Sequence, residues 1–195
     1  MKTDAYKFLS REFDLTVWST VRPNPRFEDK LYKSAGCDYI IGAGGGSVLD
    51  SAKMIKLLIT NNPKTALTQP MEDNDIGFFA IPTTSGTGSE ATRYSIFYVN
   101  DVEKHSITHS GFLPDLVLLD ESFLTTVPPY QRRCTAMDAL CHAIESYWNV
   151  KSNAESKEYA ARAIKLFVQN KLGYIVNEPQ ANRGMLLASY YAGKA

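Results

Sequence analysis

The chain has 195 residues with 21 basic and 21 acidic side chains, so its formal net charge is zero. This length allows one large domain, or one domain and part of a second, with a sizeable apolar core. The sequence contains no run of like charges. That pattern disfavours nucleic acid or an anionic membrane surface as the partner and favours a small molecule.

Membrane insertion and secretion are both disfavoured by the sequence. Apolar stretches such as Met54 to Ile59 are far too short to cross a bilayer, and the first ten residues contain no signal-peptide core. Cys37, Cys134 and Cys141 have neither a disulfide-framework spacing nor a C-x-x-C pair. We therefore expect a cytoplasmic protein whose cysteines are structural thiols.

The first half of the chain alternates short apolar runs with glycine-rich turns. The runs Cys37–Gly42, Gly77–Ile81 and Leu116–Leu119 predict three buried strands. Strands separated by turns and helical segments in this way favour a parallel sheet covered by helices.

A glycine turn follows the first predicted strand and leads into a predicted helix. We expect Ser47 to cap this helix, with Asp50 at the third position as a short capping-box equivalent. The apolar residues that recur at helical spacing are Val48, Ala52, Ile55 and Ile59.

This turn, made by Gly44, Gly45 and Gly46, is suited to a phosphate group. Exposed N–H groups and the positive end of the helix dipole favour an anion there. The pattern differs from G-x-G-x-x-G, because Ser47 stands where the last glycine would be when the count starts at Gly42. A tight turn whose glycines only permit unusual backbone angles is an equally good explanation.

A second loop, Thr83–Ser89, follows the strand Gly77–Ile81 and is rich in hydroxyl groups and glycine. Ligands of open α/β sheets bind outside the carboxyl ends of the strands, so two such loops could hold a nucleotide between them. An ordinary hydroxyl-rich turn is the alternative. Further along, Lys104 could reach a cofactor phosphate or ribose, or could be an exposed turn lysine.

From Pro128 onward the pattern becomes helical, with no convincing strand between the periodic segments. We therefore place a boundary near Val127. Residues 1–127 are predicted to form a nucleotide-binding α/β domain, and residues 128–195 a partial helical domain that binds metal.

Asp138 and His142 lie four residues apart in the first of these helices, so their side chains project from one face. A carboxylate and an imidazole are suitable ligands for a shared divalent metal, with Glu145 on roughly the same side. An ion pair on the helix surface is the alternative, and by itself the more common one. We expect His105 and His109 to be polar loop or strand residues rather than ligands.

The order of the motifs carries more information than each motif alone. Along the chain stand GGGSVLDSAK, PTTSGTGSEAT, Lys104 with LPDLVLLD after it, and MDALCHAIESYW. This set, between Val21 and Ala195, resembles the iron-containing alcohol dehydrogenase family. The resemblance implies an α/β fold of dehydroquinate synthase-like architecture, a Rossmann-like parallel-sheet domain followed by the first helices of an all-α domain.

The resemblance also implies an activity and its cofactors. Members of the family transfer a hydride between NAD or NADP and an aldehyde or primary alcohol, with the help of Fe²⁺ or sometimes Zn²⁺. Asp138 and His142 would be the first two of four protein ligands to this metal. The residues that would contact the dinucleotide are Gly45, Gly46, Ser47, Asp50, Thr83, Thr84, Thr87, Ser89 and Lys104. We also expect a homo-oligomer.

Three departures from the family pattern affect this expectation. The first strand and its following loop are missing before Lys7, so NAD and NADP cannot be told apart. Part of a helix in the family pattern is missing around Arg26 to Leu31, which would leave part of the sheet uncovered. The chain ends before the region expected to supply two further histidine ligands. The alternative is therefore a non-catalytic cofactor-binding fragment with an incomplete metal site.

Two finer alternatives concern the substrate. ATRYSIFYV and YQRRCTAMDALCHAIESYW are most similar to the phosphonoacetaldehyde reductase branch of the family. Arg93, Arg132 or Arg133 could then bind the phosphonate, or each could be an ordinary surface or interdomain residue. A sugar-phosphate cyclase such as a dehydroquinate synthase shares the glycine turn, but the DALCHAIE pattern disfavours it.

Overall fold

A computed structural model describes residues 4–27, 36–100 and 102–195 of the chain. The strands are β1 (Tyr39–Gly44), β2 (Gly77–Pro82), β3 (Tyr94–Val99), β4 (Glu103–Thr108) and β5 (Leu116–Val117). The helices are α1 (Asp4–Glu12), α2 (Gly46–Leu58), α3 (Pro129–Trp148), α4 (Ala154–Ile175) and α5 (Pro179–Lys194). None of the helices in these ranges is long and apolar enough to span a membrane.

A parallel sheet in the order β1-β2-β5 forms the centre of the first half of the chain, and three helices follow it. This arrangement confirms the predicted Rossmann-like α/β fold with a helical part after it. β1 continues two residues further than predicted, since Gly44 still pairs with Pro82. The amide of Thr83 also donates to the carbonyl oxygen of Gly44 at 3.0 Å. The two glycine loops therefore leave neighbouring strands at the same edge of the sheet.

The predicted third strand at Leu116–Leu119 is present, but it is shorter than predicted and is not buried. β5 has only two residues, pairs only with β2 at the edge of the sheet, and leaves Leu116 58% exposed. Leu119 has already left the sheet and packs against the helical core together with Leu124 and Val127. These four consecutive apolar residues therefore pack against two different surfaces, the parallel sheet and the helical core. Hydrophobicity alone does not distinguish the two.

The two faces of the parallel sheet differ in their cover. α2 packs on one face, where Leu49 and Ala52 bury Phe78 and Ala80. On the other face, Ile41, Phe79 and Leu116 form a continuous row across the three strands. Ile41 and Leu116 in this row are exposed. Residues 28–31 of the predicted gap lie outside the described residues, and the expectation that part of the sheet is uncovered stays a prediction.

An antiparallel hairpin, β3–β4, was not predicted from the sequence. Asn100 allows its turn by adopting a positive φ of 50°, and asparagine tolerates this conformation better than most residues. The hairpin packs against the C-terminal half of α2 through Phe97, which contacts a cluster containing Met54 and Leu57. The available signal was the run of aromatic and β-branched residues in YSIFYV, followed by Asn100.

The helical part is held together by α4 and α5, with α3 packed against both. Tyr174, Met185 and Leu186 are fully buried at its centre. Asn153 begins α4 with a capping box, because its side chain accepts from the amide of Ser156. The domain boundary near Val127 remains a prediction, and α3 begins two residues after it.

Candidate cofactor and metal site

The first glycine loop, Gly44–Ser47, ends β1 and begins α2. Gly45 is the N-cap residue and provides no side-chain cap, so the prediction that Ser47 caps the helix is wrong. Ser47 lies inside the first turn, where its hydroxyl oxygen accepts from the amide of Asn24. Among the described residues, no acceptor faces the amides of Gly46 and Ser47. These donors at a helix N-terminus suit a phosphate.

The second glycine loop, Thr83–Ser89, lies directly against the first. A Cβ atom added to Gly45 would stand 3.2 Å from Thr84 Oγ1, and one added to Gly46 would stand 2.7 Å from Thr87 Cγ2. The two threonine side chains therefore lie over the start of α2. Hydroxyl groups and free amides converge at this point, which fits the pyrophosphate of a dinucleotide.

The other glycines of the second loop face protein rather than the first loop. A Cβ atom on Gly86 would stand 2.8 Å from the carbonyl oxygen of Thr135 on α3. Gly88 has a φ of +60°, and a Cβ atom there would stand 2.7 Å from the carbonyl oxygen of Ser189 on α5. The second loop thus also forms the junction between the sheet and the helices.

Asp50 and Ser89, both predicted to contact cofactor, belong to a buried network. Ser89 Oγ donates to Asp50 Oδ1 at 2.8 Å, and Lys53 Nζ donates to Ser89 Oγ at 3.0 Å. Asp50 therefore does not act as a capping-box residue, because its carboxylate points to the second loop rather than to the first turn of α2. Burial raises the pKa of Asp50, against the hydrogen bond from Ser89.

Glu90 completes the buried charges of this network. It is 2% exposed, and its Oε1 atom has no hydrogen-bond partner among the described residues. Burial raises the pKa of Glu90 to about 7. Burial lowers the pKa of Lys53 to about 8, although Asp50 and Glu90 both favour its charged form. The sequence analysis missed Lys53 and Glu90, since the pattern gives no sign that these charged residues point inward.

Lys104 lies on the hairpin and not on the parallel sheet. It pairs with Tyr98, so the two side chains lie on the same face of the hairpin. Tyr98 lines an open cleft of about 220 Å³ together with Arg22, Pro23, Asn24 and Arg26. The amide of Asn24 reaches Ser47, so the cleft opens beside the first glycine loop. Asn24 and Arg22 were missed, because a proline-rich segment gives no signal for a site.

Asp138 and His142 are brought together on α3, with 3.6 Å between Asp138 Oδ1 and His142 Nε2. Both side chains are a little over 40% exposed. Two ligands about 2.1 Å from one tetrahedral metal stand roughly 3.4 Å apart, so the pair fits a shared divalent ion. Within the described ranges, no group of three or more potential His, Cys, Asp or Glu ligands is present, and Glu145 does not complete one.

Arg132 is not available to bind a substrate phosphonate. It is 2% exposed and donates to Asn182 Oδ1 at 2.6 Å and to the carbonyl oxygen of Tyr174 at 3.1 Å. Its guanidinium also lies 4.5 Å from the centre of the Tyr174 ring. Arg93 and Arg133 are exposed. Arg132 therefore ties α3 to α5 and the end of α4.

The expectation that the three cysteines are structural thiols stays a prediction. Cys134 and Cys141 are exposed on α3, and Cys37 is half-buried. All three are free thiols.

Comparison with known proteins gives a consistent result along the chain. Residues 3–121 match the family model described as iron-containing alcohol dehydrogenase, and residues 133–195 match the model of the C-terminal part of the same family. The chain is 37% identical to the probable alcohol dehydrogenase EutG of Escherichia coli, over 93% of this chain and 49% of that protein. It is 33% identical to long-chain-alcohol dehydrogenase 1 of Geobacillus thermodenitrificans, over 94% and 49% of the two chains.

Solved structures show the same likeness. An iron-containing alcohol dehydrogenase of Thermotoga maritima superposes with a TM-score of 0.86 at 29% identity, over 98% of this chain and 55% of that one. The sulfoacetaldehyde reductase of Bifidobacterium kashiwanohense in complex with NAD+ superposes with a TM-score of 0.84 at 28% identity, over 92% and 51%. The chain spans about half the length of the curated relatives it matches.

Proposed function

The chain belongs to the iron-containing alcohol dehydrogenase family, and on that premise we propose that it provides the nicotinamide-cofactor site and two metal ligands of an aldehyde–alcohol oxidoreductase. The observation that carries the proposal is the uncapped start of α2, where the amides of Gly46 and Ser47 are free beneath Thr84 and Thr87. A helix N-terminus of this kind binds the phosphates of a dinucleotide in many α/β proteins.

The residues of the two loops have separate tasks in this proposal. Gly45 and Gly46 let the pyrophosphate approach the backbone, since neither carries a side chain. Thr84 and Thr87 place hydroxyl groups beside it, together with Thr83 at the end of β2. Lys104 would reach the cofactor from the hairpin, where it pairs with Tyr98, one of the residues that line the open cleft.

The buried residues complete the predicted cofactor contacts. Asp50, whose carboxylate accepts a hydrogen bond from Ser89 Oγ, would lie beside the nicotinamide ribose. Because both side chains are already hydrogen-bonded to each other, the proposal assigns Ser89 a contact through its backbone or through Asp50 rather than through a free hydroxyl.

Asp138 and His142 would hold the metal, Fe²⁺ or Zn²⁺, through one carboxylate oxygen and one imidazole nitrogen, whose separation of 3.6 Å suits a shared ion. When bound, the nicotinamide carries the hydride and the metal acts as a Lewis acid on the substrate oxygen. Because α3 also contacts Gly86 of the second loop through Thr135, the helix that bears the ligands is fixed relative to the cofactor loops.

A small aldehyde that carries an anionic group is the finer proposal for the substrate. The similarity to a sulfoacetaldehyde reductase supports it, as does the resemblance to the phosphonoacetaldehyde reductase branch. Arg93 and Arg133 remain candidate cations, because both are exposed, whereas Arg132 is fully occupied by protein partners. A comparison of NADH and NADPH oxidation with phosphonoacetaldehyde, sulfoacetaldehyde and acetaldehyde tests this choice. Equal turnover of all three would contradict it.

The proposed function is tested by titrating the chain with NADH and with NADPH while cofactor fluorescence is recorded, with and without added Fe²⁺ or Zn²⁺. Saturable binding of at least one cofactor is expected, and the preferred form gives the cofactor specificity. A folded chain that binds neither cofactor at millimolar concentration would refute the proposal.

A second candidate, a cofactor-binding fragment without catalysis, is favoured by one observation. The described residues supply only two metal donors at the Asp138–His142 site, whereas a catalytic zinc or iron usually has three or more protein ligands. This candidate predicts saturable cofactor binding without oxidation of NADH by any aldehyde in the presence of Fe²⁺ or Zn²⁺. Metal-dependent turnover would exclude it.

A further inference from the structure

Lys53 is a fully buried cation to which the proposed function assigns no contact with the cofactor. It lies on α2, two turns after the first glycine loop, and has an exposed fraction of 0%. Placing a lysine ammonium in a protein interior is costly unless its donors are hydrogen-bonded and its charge is compensated. The hydrogen-bond partners of Lys53 therefore show which part of the structure its burial stabilises.

Among the described residues, every hydrogen-bond partner of Lys53 lies between Ser89, the last residue of the second glycine loop, and Tyr94 at the start of β3. Its Nζ atom donates to the carbonyl oxygens of Ser89 at 2.6 Å, Thr92 at 2.9 Å and Tyr94 at 2.7 Å. It also contacts the hydroxyl oxygens of Ser89 at 3.0 Å and Thr92 at 3.2 Å. Three N–H donors thus serve five oxygen atoms, so one side chain fixes the backbone from the end of the loop to the start of β3.

The charge of Lys53 is compensated next to these oxygen atoms. Asp50, one turn earlier on α2, accepts from Ser89 Oγ, so Ser89 is held from both sides by residues of the same helix. Glu90 contributes a second buried carboxyl group that interacts electrostatically with Lys53. The cluster joins α2 to a segment 36 to 41 residues further along the chain.

A chain of contacts leads from Lys53 back to the cofactor loops. The amide of Ser89, whose side chain is held by Lys53, donates to Thr87 Oγ1 at 3.3 Å. The Thr87 side chain lies over Gly46 at the start of α2. A shift of Ser89 would therefore move the Thr87 side chain that lies over Gly46 at the start of the first loop's helix.

We propose that Lys53 is a positioning residue, which fixes the second glycine loop against α2 and so sets the shape of the cofactor cleft without touching the cofactor. This inference rests on the proposed function, since it concerns the same cleft. It assigns the buried Asp50–Lys53–Glu90 cluster the task of holding the two loops at a constant separation.

Lys56, one turn further along α2, provides a matched control. It is also buried, at 5% exposure. Its Nζ atom donates to Asp73 Oδ1 at 2.7 Å and to the carbonyl oxygen of Asn74 at 3.2 Å. Lys56 thus ties the same helix to the loop before β2, and none of its hydrogen bonds reaches the second glycine loop.

The experiment compares Lys53→Met with Lys56→Met in two measurements. Amide hydrogen exchange without cofactor reports on the second loop, above all at Ser89 and Thr92, and fluorescence titration reports the Kd of the cofactor. Lys53→Met is expected to accelerate exchange at these amides at least tenfold and to raise the Kd about tenfold. Lys56→Met is expected to accelerate exchange near Asn74 instead and to leave the Kd within twofold.

A general loss of stability would not produce this pattern, because both variants remove a buried cation from the same helix. The inference is overturned if Lys53→Met leaves exchange at Ser89 and Thr92 within twofold of the unmodified chain, or if Lys56→Met loosens these amides equally. Should Lys53→Met fail to fold, Thr92→Val removes one of the five oxygen partners, and acceleration confined to Ser89 and its neighbours is expected.

The two measurements also separate this inference from the proposed function. If the unmodified chain binds neither NADH nor NADPH, the proposed function fails. The exchange rates measured without cofactor then still decide whether Lys53 holds the second loop.

Discussion

The two glycine loops follow neighbouring strands and touch each other, yet their glycines serve different purposes. In the first loop, Gly45 and Gly46 leave free amides at a helix N-terminus and lie against the side chains of Thr84 and Thr87. In the second loop, Gly86 and Gly88 give room to the backbone of α3 and α5. A glycine-rich sequence therefore predicts that another group approaches the backbone closely. It does not predict whether that group belongs to a ligand or to another part of the protein.

The largest effect is expected for Gly88→Ala. The substitution forces an alanine to a φ of +60° and brings its Cβ atom to 2.7 Å from the carbonyl oxygen of Ser189. Left-handed strain and overpacking together should lower the free energy of unfolding by roughly 3 kcal/mol. Urea denaturation measures this loss.

Gly36→Ala is the control for that prediction. Gly36 has an even more positive φ of +97°, but a Cβ atom there meets nothing within 4 Å. Only the backbone strain remains, about 1 kcal/mol. Equal losses at the two positions would mean that contact with α5 does not explain the glycine at position 88.

A smaller effect of a different kind is expected for Gly46→Val. The branched side chain would occupy the place of the pyrophosphate, so the Kd for NADH or NADPH should rise at least tenfold, which corresponds to about 1.4 kcal/mol. The loss in unfolding free energy should stay well below that of Gly88→Ala, since the nearest neighbour is the exposed Thr87 side chain, 2.7 Å from the new Cβ atom. Unchanged affinity in the fluorescence titration would remove the first loop from the site.

The second loop also differs from the first in being followed directly by a buried carboxyl group, that of Glu90, which gives a pH dependence. Burial raises the pKa of Glu90 from 4.5 to about 7. Between these values the unfolded chain loses the proton that the folded chain keeps, so this residue lowers stability as pH rises from 4.5 to 7. Glu90→Gln should flatten that part of the pH profile of urea denaturation. A variant whose profile keeps the full slope would contradict the raised pKa.

The smallest effect on either loop is expected for His142→Ala. The side chain is 42% exposed and contacts neither loop in the described structure, so the Kd for cofactor should stay within twofold and the stability within about 0.5 kcal/mol. Binding of Zn²⁺ at the Asp138–His142 pair, followed by calorimetry, should be lost. Retained Zn²⁺ affinity would show that the pair is only an ion pair on the surface of α3.

Local patterns in the sequence were sufficient for part of this structure. The parallel strands β1 and β2, the helix after the first glycine turn and the three helices from Pro129 onward all follow from hydrophobic periodicity and glycine placement. The Asp138–His142 pair also follows from helical spacing alone, since residues four apart share a face whatever surrounds the helix. The ordered motifs then predicted the family, which the matches along the chain confirm.

Other features could be decided only by tertiary structure, because they depend on contacts between residues distant in the chain. Leu116 and Leu119 have the same hydrophobicity, but one lies at an open sheet edge and the other on the helical core. Arg132 reads as a surface cation, yet it is buried among oxygen acceptors up to 50 residues away. The sequence predicts Ser47 as the helix N-cap, but Gly45, with its extended backbone, takes that position. The Ser47 hydroxyl instead accepts a hydrogen bond from the amide of Asn24.

The buried cluster around Lys53 shows most clearly which features the local sequence determines and which features depend on tertiary contacts. The sequence by itself determined that Asp50 and Lys53 stand on neighbouring turns of one helix, because their spacing is local. Only the fold decided that this side of α2 meets the turn after the second glycine loop, where five oxygen atoms surround one ammonium group. A charged residue becomes favourable in the interior only when the whole chain brings its partners there, and no local pattern carries that information.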